Sequence, residues 1–200
     1  MPKKKAKRPI AKKDEFKLKV QTIKRKYPLD RLAPDGRIGV LSLATDFVIE
    51  DDLSQMLPST VTFFTSRVLN YQPLTFENLR KMAPRIKAAA ESILPGDDGG
   101  VDVYMYACTS GSIAIGEDKV TEYVREARPG AMVTNPATAA LEAFKALNAK
   151  KVTMITPYLV DVNTEFAAYF QSRGIEVLNV ATFDFGMDIP MSFISPDDIK

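Results

Sequence analysis

The stretch VDVYMYACTSGS, residues 101–112, is mostly apolar through Ala107 and then turns abruptly to small hydroxyl residues and glycine. Its first half is too apolar for anything but a buried strand, and the change in composition marks where that strand stops and a helix begins. Cys108, the only cysteine in 200 residues, stands at the junction. In a parallel α/β sheet, a residue in the turn after a strand projects into the crevice where such folds bind ligands. A thiol at that address is a candidate nucleophile, set against the plainer reading of a buried structural cysteine.

The rest of the body repeats the same alternation. Short apolar runs near 37–43, 60–66, 101–107, 131–133, 151–155 and 175–181 read as strands, and helical stretches near 47–57, 75–94, 117–127, 136–148 and 159–173 lie between them. This is the pattern of βα units and a parallel sheet. Pro34-Asp35-Gly36 separates an N-terminal extension, 1–34, from a first α/β domain, 35–148, that carries the cysteine motif. A second α/β domain begins in 149–200. The loop 95–100 feeds the strand before Cys108, and Arg173-Gly174 closes the last long helix with a basic turn and a glycine.

Composition narrows the chemistry. The sequence has no histidine, which removes Ser-His-Asp triads, Cys-His dyads and most transition-metal sites. A single cysteine rules out intrachain disulfides and suits a reducing cytoplasm, the expected location. No run reaches the eighteen or so apolar residues of a membrane span, so no membrane partner is expected. The net charge of +2 conceals an asymmetry: residues 1–31 hold thirteen Lys or Arg against three acids (+10), and the other 169 hold fourteen against twenty-two (−8). Clustered lysines neutralise phosphate, yet the tail lacks aromatic stacking residues, glycine-arginine repeats and zinc ligands. It reads as a solvated, partly helical extension on an acidic body, its own or that of a neighbouring subunit in a homo-oligomer, and nucleic acid is not an expected partner.

Around Cys108 the turn's free amides and the positive end of the next helix are expected to stabilise a thiolate, lower its pKa and offer donors to a carboxylate. Thr109, Ser110 and Ser112 add hydroxyls, and Gly111 permits close backbone approach. Gly111 and Gly116 have the spacing of a nucleotide P-loop, but Glu117 and Asp118 stand where Lys and Ser or Thr are needed, so nucleotide binding there is rejected. Two other strand ends converge on the same crevice: LATD (43–46) offers Thr45 and Asp46, and TPY (156–158) offers Tyr158. Asp46 and Tyr158 have cap or packing roles as alternatives. Arg67 is a candidate carboxylate clamp. The pairs Asp51-Asp52, Asp97-Asp98 and Asp197-Asp198 read as solvated caps, not metal ligands.

Several of these segments together resemble a known group. YACTSGS (106–112), TPY, NPATAALEAFKALNAKKVTMITPY (135–158) and RIGVLSLATDFVIEDD (37–52) are similar to the maleate isomerase branch of the Asp/Glu racemase superfamily. LATDFVIE with ACTSGSIAIGE is nearer the ectoine-utilisation proteins of the EutA type. The resemblance spans roughly 35–200 and omits the tail. It implies two Rossmann-like (flavodoxin-like) parallel-sheet domains in a pseudo-two-fold arrangement, the second incomplete in this chain, with the ligand between them and no cofactor. It implies cysteine acid/base or nucleophilic chemistry on a small carboxylate or amino-acid-derived substrate, with one thiol from each half. Carried over by position, Cys108 is the first catalytic cysteine, Tyr158 the substrate-side tyrosine, and Asp46, Thr109 and Ser110 substrate contacts. Asp46 replaces the asparagine of maleate isomerases, and its charge argues for a cationic or zwitterionic substrate over maleate. The reading is thus an isomerase or racemase of ectoine or hydroxyectoine catabolism. A single-cysteine decarboxylase or lyase and a catalytically silent binding protein of the same fold are the alternatives.

A faint internal repeat adds an expectation. Arg37–Ser42 and Lys151–Thr156 share the order basic, apolar, small, apolar, apolar, hydroxyl, an offset of 114 that sets the counterpart of Cys108 near 222, past Lys200. The final MSFISPDDIK reads as a loop and a helix start, with Ser195 as N-cap and Pro196 first. The expectation is a truncated chain without the second thiol.

Overall fold

A computed structural model describes residues 19–24, 33–96 and 100–199. By its contacts the chain divides into Met1–Arg31 and Leu32–Lys200. Of the first unit, 19–24 are exposed and, against the expectation of a partly helical tail, form neither helix nor strand; residues 1–18 and 25–32 of the basic extension, and 97–99 with Asp97-Asp98, lie outside the described residues.

The second unit is α/β with parallel sheets, as expected. Strands β1 (Gly36–Leu43), β2 (Val61–Val68), β3 (Val103–Tyr106) and β4 (Met132–Thr134) form one sheet in the order β2-β1-β3-β4, every pairing parallel. Helices α1 (Ile49–Met56), α2 (Phe76–Arg80), α3 (Ala83–Ser92), α4 (Thr109–Ile115) and α5 (Glu117–Ala127) connect them. After α6 (Pro136–Ala146), strands β5 (Lys151–Tyr158) and β6 (Glu176–Phe185) pair in parallel around α7 (Val160–Gln171), followed by α8 (Asp188–Met191) and α9 (Pro196–Ile199). Among the described residues no helix is long and apolar enough to cross a membrane.

The order of the first sheet locates the site. The chain leaves β1 toward β2 on one side and returns to β3 on the other, so strand order reverses between β1 and β3. At such a switch point the connections diverge and leave a crevice outside the carboxyl ends of the strands. The central strands are held by burial: Leu41, Tyr104 and Tyr106 pack among Met82, Ile86 and Ala90 of the α2–α3 segment and Val120 and Val124 of α5, and Val40 is fully buried as well. Each fully buried aliphatic side chain contributes about 1.5–3 kcal/mol. In the second sheet, α6 and α7 cover one face through Ala137, Phe144, Tyr169 and Phe170.

Three local features differ from the sequence reading. The single helix expected over 75–94 is two, because Pro84 opens α3 and its ring and missing N–H are incompatible with a helix continuing through position 80. The helix expected to open after Cys108 does so, but as a short element of its own, α4, from which Gly116 (φ 95°) turns the chain into α5. Strand β6 runs to Phe185, four residues past its expected end. Local signals close the helix ends. Asn135 and Thr138 form a reciprocal cap on α6 ahead of Pro136, Gly174 (φ 81°) follows α7, and Ser195 caps α9 through the Asp198 N–H. Glu117, which spoils the P-loop pattern, pairs with Arg173 of the α7 end at 2.8 Å.

Candidate active site

Four strand ends line one cavity of about 240 Å³. The β1 end supplies Leu43, Thr45 and Asp46, the β3 end Ala107, Cys108, Thr109 and Ser110, the β5 end Pro157 and Tyr158, and α8, just after β6, Asp188, Met191 and Ser192. The β2 end reaches it indirectly, through Asn70 and Gln72. A larger cavity of about 440 Å³ lies at the opposite end of the first sheet, around Val101, Asp102, Arg128 and Met132, and has no thiol.

Cys108 is the N-cap residue of α4. Its extended backbone (φ −142°, ψ 107°) points the side chain back at the helix start, where Sγ accepts the Gly111 N–H at 3.2 Å and lies 3.6 Å from Ser110 Oγ. Ser112 Oγ donates to the Cys108 carbonyl at 2.6 Å and fixes the turn. The electrostatic balance differs from the sequence expectation. Burial pushes the thiol up to about 11, with the Asp188 carboxylate adding to the rise, while the Ser110 hydroxyl, the Gly111 amide and the Tyr106 hydroxyl pull it down without prevailing. Helix-start donors do act on Cys108, but at 5% exposure desolvation outweighs them.

Tyr158 is half-buried and stacks on Phe166 at 5.1 Å. Asn163 of α7 holds its strand end, accepting from Thr156 Oγ1 at 2.5 Å and donating to the Tyr158 carbonyl at 2.8 Å. Burial raises the phenol well above its usual range, as do the charges of Cys108 and Asp188; the Ser110 and Thr109 hydroxyls oppose them. The phenol is therefore a hydrogen-bond donor at neutral pH.

Asp46 borders the cavity and also caps the turn after β1. Its Oδ1 accepts the Val48 and Ile49 N–H groups at 3.0 and 3.1 Å, and its Oδ2 the Ser42 hydroxyl at 3.2 Å. Arg67 does not supply a clamp. Its guanidinium donates to Ser42 Oγ and to the Leu43 and Asp46 carbonyls at 2.8–3.2 Å and pairs with Glu50, so it braces the β1 turn.

The carboxylate absent from the sequence reading is Asp188. Its Oδ2 accepts from Thr45 Oγ1 at 2.8 Å, from Gln72 Nε2 at 2.5 Å and from Asn70 Nδ2, three donors from the β1 and β2 ends that hold it on the cavity wall. The available signal was positional: an Asp following Phe185-Gly186 at the end of a parallel strand has the same address as Cys108.

No protein-family profile matches the chain. It is 26% identical over 174 residues to the maleate isomerase of Geobacillus stearothermophilus, covering 80% of this chain and 66% of that one. A variant of the Nocardia farcinica maleate cis-trans isomerase, solved with a covalently bound succinylcysteine intermediate, superposes with a TM-score of 0.70 at 21% identity, covering 82% and 70%. The fold is that of the maleate isomerases. A liganded arylmalonate decarboxylase variant follows with a TM-score of 0.59 at 23% identity, covering 75% and 63%. The chain thus resembles maleate isomerases, with arylmalonate decarboxylases among its structural neighbours, and spans about two thirds of the length of the Geobacillus relative.

Proposed function

We propose that this chain is a cofactor-independent isomerase or racemase in which Cys108 acts as acid/base or nucleophile on a small carboxylate bearing a cationic nitrogen, in ectoine or hydroxyectoine catabolism. The observation that carries the reading is Cys108 itself, capping a helix at the switch point of a parallel sheet and bordering a cavity it shares with Tyr158, Asp46 and Asp188. Relatives with this fold include one that carries a covalent succinylcysteine intermediate. In this reading the Cys108 thiolate either takes a proton from the carbon beside the substrate carboxylate or adds to an sp² carbon. In the second case a C–S bond forms and the electron pair moves toward the carboxylate. Thr109, Ser110 and the Tyr158 phenol donate to that carboxylate as its charge grows.

The two wall carboxylates select the substrate. Both Asp46 and Asp188 would repel a second anionic group, and the Asp188 charge also holds Cys108 in its neutral form. A substrate cation beside Asp188 cancels that charge and favours the thiolate, whereas a dianion raises the thiol pKa further. A zwitterion therefore activates its own nucleophile. A thermal-shift screen with ectoine, hydroxyectoine, their ring-opened derivatives and maleate tests this: the zwitterions are expected to stabilise the protein, and stabilisation by maleate alone would overturn the substrate assignment.

A second reading, a single-cysteine decarboxylase or lyase, draws on the likeness to arylmalonate decarboxylase. Carbon dioxide release separates it from isomerisation. Alkylation of Cys108 that no carboxylate slows would favour a silent binding protein over either enzyme.

A further inference from the structure

Tyr106 ends β3 two residues before Cys108 and is fully buried. Residues two apart in extended chain face the same side, and Cys108 continues the extended backbone. Gly111 shows how closely the two side chains converge. A Cβ at that position would lie 2.5 Å from Tyr106 Oη, 2.9 Å from Cys108 Sγ and 3.0 Å from Met82 Cε. The phenol oxygen and the sulfur crowd the bare face of one glycine.

Tyr106 Oη is buried and has no hydrogen-bond partner among the described residues. Buried hydroxyls are normally paired, and the one group this hydroxyl is seen to act on is the Cys108 thiol, whose pKa it lowers. Its chemistry suggests a task. A neutral thiol is a weak acceptor, so a hydroxyl beside it gains little; a thiolate is a charged acceptor and rewards every donor within reach.

We propose that Tyr106 is a positioning residue whose hydroxyl is unpaired in the resting protein and donates to Cys108 Sγ once the thiol ionises. The thiolate then has three donors: the Gly111 amide, the Ser110 hydroxyl and the Tyr106 hydroxyl. Burial holds the phenol far above its usual range, so Tyr106 keeps its proton and serves as a donor, never as the base. The other titratable groups acting on the sulfur are Asp188 and Tyr158, from α8 and β5, and Met82 on the α2–α3 side carries no charge.

The proposal rests on Cys108 as the reacting group, and its test needs no substrate. Alkylation rates of the full chain are measured at fixed pH values between about 8 and 10 with iodoacetamide and with a bulkier iodoacetamide derivative. Tyr106→Phe keeps the ring and removes only the hydroxyl. It is expected to slow both reagents by the same factor, about tenfold, equivalent to a rise of about one unit in the thiol pKa. An unchanged or faster rate, or a loss that depends on reagent size, would overturn it. If Tyr106→Phe does not fold, a ring-fluorinated tyrosine at 106, a better donor, is expected to speed alkylation, and no change would be equally fatal. Failure to find any turned-over substrate would sink the functional reading and leave this result standing.

Discussion

The resting thiol of Cys108 is expected to be slow to alkylate at neutral pH, despite its place at a helix start. With burial and Asp188 pushing its pKa to about 11 from 9.0, the neutral form is favoured by roughly two pH units, or ~3 kcal/mol. At pH 7 the thiolate fraction is on the order of one in ten thousand, about a hundredfold below that of a free thiol of pKa 9.0. Iodoacetamide reacts with the thiolate. Its rate with the folded chain, followed by intact mass, should therefore climb about tenfold per pH unit from 7 to 10, and unfolding the chain in denaturant should accelerate it about a hundredfold at pH 7. A zwitterionic ligand that neutralises Asp188 should shift the profile toward lower pH if it leaves the sulfur accessible. A plateau below about pH 8 in the free protein would show that helix-start donors dominate desolvation, and would refute the reasoning.

Three further perturbations have defined outcomes. Gly111→Ala places a methyl 2.5 Å from Tyr106 Oη and 2.9 Å from Cys108 Sγ, so denaturant melts should show a loss of at least about 1–3 kcal/mol; an unchanged midpoint would mean the cradle is loose. Asp188→Asn should raise the affinity for maleate-like dianions relative to zwitterions in calorimetric titrations, and Asp46→Asn should do so too while keeping its turn, since Asn also caps. Equal preference before and after both changes would remove the charge argument. Because the folded pKa of Cys108 lies above its unfolded value, the native state keeps a proton that the unfolded chain has released, so this stabilisation is present below pH 9 and is lost as pH rises toward 11. Between pH 9 and 10 the wild type should lose about 1 kcal/mol more than Cys108→Ser in paired denaturant melts, in which the other groups titrate alike.

What could be read from the sequence and what could not divide along a physical line. The β1 and β3 strands and the helix after Cys108 were legible because each is a local pattern: an apolar run, then small hydroxyl residues and glycine. The cap at Ser195 was legible for the same reason, since a cap depends on three or four consecutive residues. The break at Pro84 was present in the sequence but was outweighed by the helical composition on either side. Asp188 was hidden by the exposure of β6, whose residues are mostly solvent-facing and lack a buried strand's apolar run. Its partners Thr45, Asn70 and Gln72 lie more than a hundred positions away. Arg67 was misread because its acceptors are backbone carbonyls brought near by sheet pairing. The thiol pKa was misread because desolvation depends on packing depth, which no local motif encodes.

The central claim is that Cys108 performs the chemistry in this cavity. The most direct measurement is deuterium incorporation into ectoine-derived amino acids, followed by mass spectrometry in heavy water with the wild-type chain and Cys108→Ser side by side, each checked for a native melt. The account predicts exchange at the carbon beside the carboxylate with the wild type and none above the uncatalysed rate with Cys108→Ser. Equal exchange with both proteins would place the chemistry elsewhere and contradict it.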